Sequence, residues 1–252
     1  MGTRYSGDWG TCMARLAKGD FGTWAEYYSA YQRALAKRFL MPFLRESGVT
    51  HEGRRVLDLG CGDGGCTAAF AEDAASCVGV DIDEFPWPQR PNLEFVQGDV
   101  LDPELANTLS GRFDLVLIRD VIEHVEDKPT LMEHAIGALD GSGHILITFP
   151  PYYSPFGAHQ QVELRESSVR YAPYMHAHPG LRHIARTRMT IGAFERLVPG
   201  AGAEIVARRL FVSRPSFELR YGIPVVRFPF PWFRGLREVI CSGAYYLLAA
   251  GR

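Results

Sequence analysis

The feature that most constrains the fold is the run from Val56 to Gly65, VLDLGCGDGG, in which a short apolar segment ends in glycines. An apolar run of this length bounded by glycine predicts a buried strand followed by a tight turn. Gly60 and Gly62 lack a Cβ atom, so the chain can turn sharply there and bring backbone N–H groups close to a ligand. The helix predicted next, over residues 67–73, would direct its amino-terminal amides at an anionic group.

The same order of strand, loop and helix recurs along the chain. Four further short apolar runs follow the first strand (residues 55–59), at residues 77–80, 93–96, 113–118 and 144–149. Strands of this length that alternate with helices predict right-handed βαβ units and a mostly parallel sheet. We therefore expect an α/β fold with a doubly wound, Rossmann-like sheet, which two later strands at residues 205–212 and 243–250 would complete.

We expect one domain over residues 1–252, organised in four parts. Residues 1–52 form a helical cap, in which aromatic residues and leucine recur at three- and four-residue spacing from Trp24 to Phe39. Residues 53–151 carry the glycine loop, and residues 190–252 complete the sheet. Residues 152–189 are rich in Tyr, His, Pro and Arg and form a lid insertion after strand five. This insertion is expected over the carboxyl edge of the sheet, where open α/β folds bind ligands.

The glycine loop alone leaves two ligand classes open. The spacing Gly60-x-Gly62-x-x-Gly65 also satisfies the fingerprint of NAD- or FAD-binding proteins. Asp58 lies two residues before Gly60, inside the end of the strand. A carboxylate there would repel a pyrophosphate but suits the ammonium group of a ligand with an amino-acid tail. Asp58 therefore speaks against a dinucleotide.

Two more acids end the next two strands. Asp81 follows the glycines by about 20 residues, where an acid commonly reads two ribose hydroxyls. Asp99 follows the third strand, where its carboxylate could accept a hydrogen bond from an adenine amino group while Val100 offers an amide. Each acid also fits an ordinary role as a turn or capping residue. Their joint placement at three consecutive strand ends, with Asp58, is what indicates a ligand.

These motifs resemble, in order and spacing, those of the class I S-adenosylmethionine-dependent methyltransferases. The matching elements are D-x-G-x-G-x-G from Asp58, GVD ending at Asp81, GD ending at Asp99 and FDLV from Phe113, within residues 54–150. The run RDVIEHV from Arg119 is similar to the motif after strand four in the small-molecule branch of that family. The resemblance implies a seven-stranded sheet whose last strand, residues 243–250, runs antiparallel to the others.

The resemblance also implies S-adenosylmethionine as cofactor and assigns its contacts. The residues concerned lie in the glycine loop and at the following strand ends: Asp58, Gly60, Cys61, Gly62, Asp81, Ile82, Asp99, Val100 and Arg119. Asp58 and Gly60 would hold the methionine tail, and Arg119 would line it through its backbone. Asp81 would hold the ribose, Ile82 would lie beside the adenine, and Asp99 with Val100 would hold the adenine edge. One departure is residues 83–88, where two prolines disfavour the usual helix.

Methyl transfer is an in-line displacement that releases a neutral thioether, so the enzyme mainly orients the acceptor and excludes water. A hydroxyl acceptor also needs a base, and histidine is suited to that role. The candidate catalytic residues are His159, in the lid, and His124, after strand four. His159 also fits a surface-loop residue, and His124 also fits a histidine hydrogen-bonded in the first turn of a helix.

Asp120, Glu123 and His124 have the i, i+3, i+4 spacing of one helical face. In some quinone-biosynthesis O-methyltransferases of the family a similar run binds magnesium. Mg²⁺ would need further oxygen ligands that the sequence does not place, so we predict no metal site.

The predicted function is methyl transfer to a small-molecule acceptor, with oxygen favoured over nitrogen or carbon. An NAD- or FAD-dependent oxidoreductase is the alternative that the glycine spacing leaves open. A net charge of −2 argues against a broad basic field for nucleic acid. The longest apolar stretch is shorter than the roughly 20 residues of a membrane span. Five cysteines without C-x-x-C spacing, and an amino terminus without the apolar core of a signal peptide, predict a cytoplasmic protein.

The segment from Arg227 to Arg234, RFPFPWFR, allows two interpretations. Its rings would pack on the core or at a homodimer contact. Alternatively, aromatics between arginines would touch a membrane surface or an apolar, carrier-bound substrate.

Overall fold

A computed structural model describes residues 24–154, 188–230 and 232–251. The helices are α1 (Trp24–Leu35), α2 (Met41–Glu46), α3 (Gly65–Phe70), α4 (Pro103–Leu109), α5 (Lys128–Gly137), α6 (Ile191–Gly200), α7 (Pro215–Tyr221) and α8 (Arg234–Ile240), with a π-helical turn at Ala36–Leu40. The strands are β1 (Arg55–Leu59), β2 (Ser76–Asp81), β3 (Leu93–Gln97), β4 (Phe113–Arg119), β5 (Leu139–Phe149), β6 (Ala203–Ser213), β7 (Val226–Arg227) and β8 (Gly243–Ala250).

The strands form one sheet in the order β3-β2-β1-β4-β5-β8-β6-β7. β1 to β5 are parallel, and β8 is inserted antiparallel between β5 and β6. The predicted fold class and the reversed strand are therefore confirmed. The predicted number of seven strands is wrong by one, because the two-residue β7 pairs with the end of β6 as an eighth, edge strand. β7 lies in the Phe/Pro-rich stretch, where strand alternation is absent from the sequence.

The core lies on both faces of the sheet because the central strands are apolar along their whole length. Side chains of β1 and β4 alternate between two hydrophobic clusters, and these parallel strands read as continuous runs for that reason. One cluster includes residues of α5 and α6, and the other includes residues of α2 and α3. Burying a side chain such as Leu57, Leu117 or Phe70 contributes roughly 1.5–3 kcal/mol.

Helix α1 is pressed against the start of α3. A Cβ atom on Gly65 would lie 2.6 Å from the Ser29 carbonyl oxygen, so only glycine allows this approach. Tyr27, Tyr31 and Leu35 are buried on the predicted apolar stripe and pack against Leu219 of α7. The helical cap thus touches the chain directly after the glycine loop.

The bounds of two elements differ from the sequence-based expectation by three residues or more. β5 begins at Leu139 rather than at residue 144. The sequence did not reveal this extension, because residues 139–143 contain two glycines and are largely exposed. α3 covers Gly65–Phe70 rather than residues 67–73. Residues 83–88 are not helical, as the two prolines predicted. In the described ranges we find no helix whose length and apolar character would suffice to cross a membrane.

Candidate active site

The glycine loop, residues 60–65, turns sharply through left-handed backbone conformations. Gly60, Gly62 and Gly64 have φ values of +76°, +56° and +75°, a region that side chains with a Cβ disfavour. The Gly60 and Cys61 amides both donate to the Val80 carbonyl oxygen, at 2.8 and 2.9 Å. We expected such amides to face a ligand, but here they fasten the loop to β2. Gly60 instead allows Val121 to approach the loop closely, because a Cβ atom at residue 60 would lie 2.3 Å from Cγ2 of Val121.

Asp58 lies at the carboxyl end of β1 and is 1 % exposed. Its Oδ2 accepts a hydrogen bond from the Thr67 hydroxyl at 2.7 Å. Its Oδ1 is buried and has no hydrogen-bond partner among the residues that the structure describes. Burial raises the pKa of Asp58, and the nearby Arg119 opposes that rise. A buried carboxylate oxygen with a lone pair to offer fits the ammonium group of an amino-acid tail.

Asp81 holds the glycine loop from the end of β2. Its Oδ2 accepts from the Gly62 amide at 2.7 Å, and its Oδ1 accepts from the Asp83 amide at 3.1 Å. The indole of Trp87 donates to the Gly62 carbonyl at 2.8 Å and stacks on Phe95 with a centroid distance of 5.0 Å. Sequence reasoning missed Trp87, since residues 83–88 differ from the family pattern and offer no periodicity, and it counted Phe95 only as part of a strand.

The two remaining strand-end positions are open to solvent. Ile82 is 57 % exposed, which is unusual for isoleucine next to a buried core and fits a side chain that a ligand ring would cover. Asp99 is exposed, and its Oδ1 accepts from the Leu101 amide at 2.9 Å. The Val100 carbonyl oxygen lies 2.9 Å from Nδ1 of His134. Asp99 therefore performs the ordinary turn role, which does not conflict with a second role through its other oxygen.

Arg119 ends β4 and contributes its side chain, not only its backbone as the resemblance implied. The side chain is 10 % exposed and lies 3.9 Å from the Asp120 carboxylate. Burial alone would lower the pKa of Arg119, but surrounding groups, among them Cys66, Asp120 and Asp58, raise it overall. The guanidinium stays charged and balances the acids at this edge of the sheet.

Asp63 is a further acid that sequence reasoning missed. It is 9 % exposed, and its Oδ1 accepts from the Gly65 amide at 3.2 Å. Burial raises the pKa of Asp63 to about 6. Because Asp63 lies between two glycines, its sequence context indicates only a turn residue.

The post-β4 loop, residues 120–127, faces the glycine loop through the contact of Val121 with Gly60. Asp120 has a φ of +54°, and its Oδ1 accepts from the Thr148 hydroxyl at 3.0 Å. Residues 121–124 form a turn and not a helix. The prediction that Asp120, Glu123 and His124 share one helical face is therefore wrong, because the left-handed residue 120 breaks that periodicity.

Glu123 and His124 are neighbours in the post-β4 loop, and the His124 side chain is 22 % exposed. Glu123 is fully buried, and its Oε1 lies 3.6 Å from Nε2 of His124. Burial raises the pKa of Glu123 well above its usual range and lowers the pKa of His124 to about 4. His124 is thus neutral at pH 7. Within the described ranges no three His, Cys, Asp or Glu side chains are arranged to hold a metal ion.

The other candidate base, His159, lies outside the described residues, as does most of the predicted lid. The described ends of that segment meet: the Tyr152 amide donates to the Met189 carbonyl at 2.8 Å. Arg188 lies over the Tyr152 ring at 5.1 Å from its centroid. Both described ends of residues 152–189 therefore lie close to the carboxyl end of β5.

The sheet order separates the two ligand classes that the glycine spacing left open. In the doubly wound dinucleotide fold the strands run in the order 3-2-1-4-5-6. Here the antiparallel β8 stands between β5 and β6. The sheet therefore departs from the dinucleotide-binding arrangement beyond β5.

Comparison with known proteins agrees with this geometry. A family model described as a methyltransferase domain matches residues 27–208. The ubiquinone biosynthesis O-methyltransferase of Acinetobacter baylyi is 30 % identical over 105 residues, which are 38 % of this chain and 43 % of that protein. The match thus spans less than half the length of the curated relative.

Solved structures share the fold at low identity. An S-adenosylmethionine-dependent methyltransferase from Mesorhizobium loti has a TM-score of 0.55 at 19 % identity, covering 82 % of this chain and 96 % of that one. Magnesium protoporphyrin IX methyltransferase from Synechocystis, with bound S-adenosylhomocysteine, has a TM-score of 0.52 at 15 % identity, covering 94 % and 92 %.

Proposed function

This chain belongs to the methyltransferase-domain family, whose class I members use S-adenosylmethionine, and from that premise we propose that it methylates a hydroxyl oxygen of a small-molecule acceptor. The observation that carries the proposal is the Glu123–His124 pair, with a buried carboxyl and a 22 % exposed imidazole, in the loop whose Val121 contacts the glycine loop. The relative from Acinetobacter baylyi, named an O-methyltransferase, supports the choice of oxygen.

The described residues support the proposal that the cofactor binds at the carboxyl edge of the sheet. Asp58 would hold the ammonium group through its buried Oδ1, for which no partner is found among the described residues. Asp81, Ile82 and Asp99 stand at the next strand ends, where the ribose and adenine would lie. The bound sulfonium would supply an electrophilic methyl group and leave as a neutral thioether.

The chain's own contribution to the reaction is to orient the acceptor and to take its proton. Burial lowers the pKa of His124 to about 4, so its imidazole is neutral at pH 7 and able to accept a proton, but only as a weak base. A base of that strength accepts a proton most readily from an acidic hydroxyl, so an enolic or phenolic acceptor fits better than an alkyl alcohol. His159 remains the second candidate base, placed in the lid by sequence.

The test begins with the purified protein, S-adenosylmethionine and matched phenol and amine acceptors, with each product identified by the mass of one added methyl group. Methylated phenols, and unmodified amines, are the expected result. Methylation of amines alone would show that the acceptor atom is not oxygen.

The base is tested with His124→Gln and His159→Gln. A variant that lacks the base should lose about 10²–10⁴-fold in kcat while binding S-adenosylhomocysteine with unchanged affinity. His144→Gln is the matched control. His144 is half-buried and lies where the continuous parallel pairing of β5 with β4 begins, so this variant should retain full activity. If both candidate variants turn over at the wild-type rate, neither histidine is the base.

A further inference from the structure

A cluster of large apolar side chains is exposed on the β7 side of the sheet. We call it the aromatic ridge, and it consists of Phe230, Trp232, Phe233, Leu236 and Val239, each between 43 % and 67 % exposed. We propose that the aromatic ridge and its flanking arginines bind the surface of an anionic lipid bilayer.

The ridge is a built feature rather than a set of scattered side chains. Phe230 contacts both Trp232 and Phe233, with ring centroids 5.6 and 6.2 Å away. Phe228, buried in the core, anchors the cluster through its edge contact with Phe230 at 6.4 Å. The rings therefore support each other on the outside of the protein. Exposed apolar patches of this kind mark interaction sites.

Helix α8 is fixed so that its apolar side faces solvent. Arg237 is 3 % exposed and binds the Glu195 carboxylate with both terminal nitrogens, which ties the helix to α6. Glu238 accepts from the Ile191 and Gly192 amides at 2.9 and 2.6 Å. Leu236 and Val239, three residues apart, are left on the outer side. A rotation that would hide them must break these charged contacts.

The charge around the ridge is basic. No acidic residue occurs between Glu218 and Glu238, whereas Arg227 and Arg234 flank the rings on an exposed surface. One acid, Glu46, lies 3.5 Å from the Arg227 guanidinium. Each arginine near an anionic leaflet contributes about a fivefold gain in binding.

This combination favours a bilayer over a second copy of the chain. In a two-fold contact the ridge would meet itself, and the arginines of both copies would be brought together. Trp and Phe at the level of the lipid headgroups, with arginines reaching the phosphates, avoid that repulsion. Docking at β7 would also leave the glycine loop uncovered, because β1 and β2 lie toward the other end of the sheet.

The experiment is co-sedimentation of the full chain with vesicles of phosphatidylcholine alone or with about one third phosphatidylserine, at low and high salt. We expect binding to the anionic vesicles only, weakened by salt. The double variant Trp232→Ser/Phe233→Ser should bind at least about tenfold more weakly. Arg227→Gln/Arg234→Gln should bind about thirtyfold more weakly.

Two matched controls and a measurement of mass complete the test. Ile205→Ser/Val206→Ser removes two other exposed apolar side chains, and Arg54→Gln removes an exposed charge before β1; both should bind like the wild type. Thermal unfolding confirms that each variant is folded. Equal binding to neutral vesicles, no binding to either vesicle, or unchanged binding by the ridge variants would overturn the proposal. Light scattering could also overturn the proposal. If the wild type is a dimer and the ridge variants are monomers, a second copy of the chain occupies the ridge.

Discussion

The glycine loop and the post-β4 loop both leave the carboxyl edge of neighbouring parallel strands, yet they are built in opposite ways. The glycine loop reaches positive φ with Gly60, Gly62 and Gly64, whereas the post-β4 loop does so with Asp120. The glycine loop acts through its backbone conformation and through the missing side chain at Gly60, which leaves room for a neighbouring residue. The second places ionisable side chains, above all Glu123, in a buried position. The two loops meet at the contact between Gly60 and Val121.

The comparison teaches that one edge of a sheet combines two kinds of site. A backbone site is recognised from residue type, since few residues but glycine tolerate its conformation. A side-chain site depends on what surrounds each group, because burial and neighbouring charges decide its protonation. Arg119 belongs to both, since its charge favours the ionised form of Asp58 and its guanidinium lies 3.9 Å from the Asp120 carboxylate.

The largest effect is expected from removing this shared charge. Arg119→Gln should lower the free energy of unfolding by about 3–5 kcal/mol, because Asp58 and Asp120 would lose their buried counterion. Urea unfolding measures the change. Arg54→Gln removes an exposed arginine before β1 and should change the stability by less than about 0.5 kcal/mol. Equal losses in the two variants would show that Arg119 does not link the loops electrostatically.

The contact between the loops is tested at Gly60. Gly60→Ala should cost about 2–4 kcal/mol of stability, because φ is +76° and the new Cβ would lie 2.3 Å from Val121. Gly62→Ala meets no atom within 4 Å and should cost only about 1–2 kcal/mol for its positive φ. Adding Val121→Ala to Gly60→Ala should restore part of the loss in thermal unfolding. If Val121→Ala lowers the stability of the Gly60→Ala variant further instead, the contact between the two residues is refuted.

Asp63 offers a pH-dependent test of the glycine loop. Its pKa is raised to about 6 by burial, so ionisation destabilises the folded state as the pH rises from about 4 to above 6. Asp63→Asn keeps an oxygen for the Gly65 amide and removes the charge. The variant should be more stable than the wild type by roughly 2–3 kcal/mol at pH 7 and equally stable below about pH 4. A difference that does not vary with pH would contradict the raised pKa.

The smallest effect is expected at Asp99, whose carboxylate is exposed. Asp99→Asn should leave the melting temperature unchanged and weaken S-adenosylhomocysteine binding about fivefold, the value of one hydrogen bond. Asp102→Asn, which alters the cap of α4 three residues later, is the control and should not change the affinity. Titration calorimetry distinguishes the two, and identical affinities would assign Asp99 to the turn alone.

Most of the sheet was predictable because its strands are short, apolar and bounded by glycine, proline or aspartate. β1 and β8 were predicted to the residue, and the other early strands within one residue or two except β5. The short β7 was missed, since two exposed residues on an edge carry no periodicity. The helix expected over Asp120–His124 failed because a single left-handed residue redirects the chain, which spacing alone does not reveal.

The sequence by itself determined the order of elements, the glycine loop and the acids Asp58, Asp81 and Asp99 at three strand ends. These follow from residue type and spacing, which act locally along the chain. Only the tertiary structure decided that Asp63 and Glu123 are buried, that burial lowers the pKa of His124 and that the Arg119 guanidinium lies 3.9 Å from the Asp120 carboxylate. Those properties depend on desolvation and on charges from distant segments, and packing alone brings such segments together.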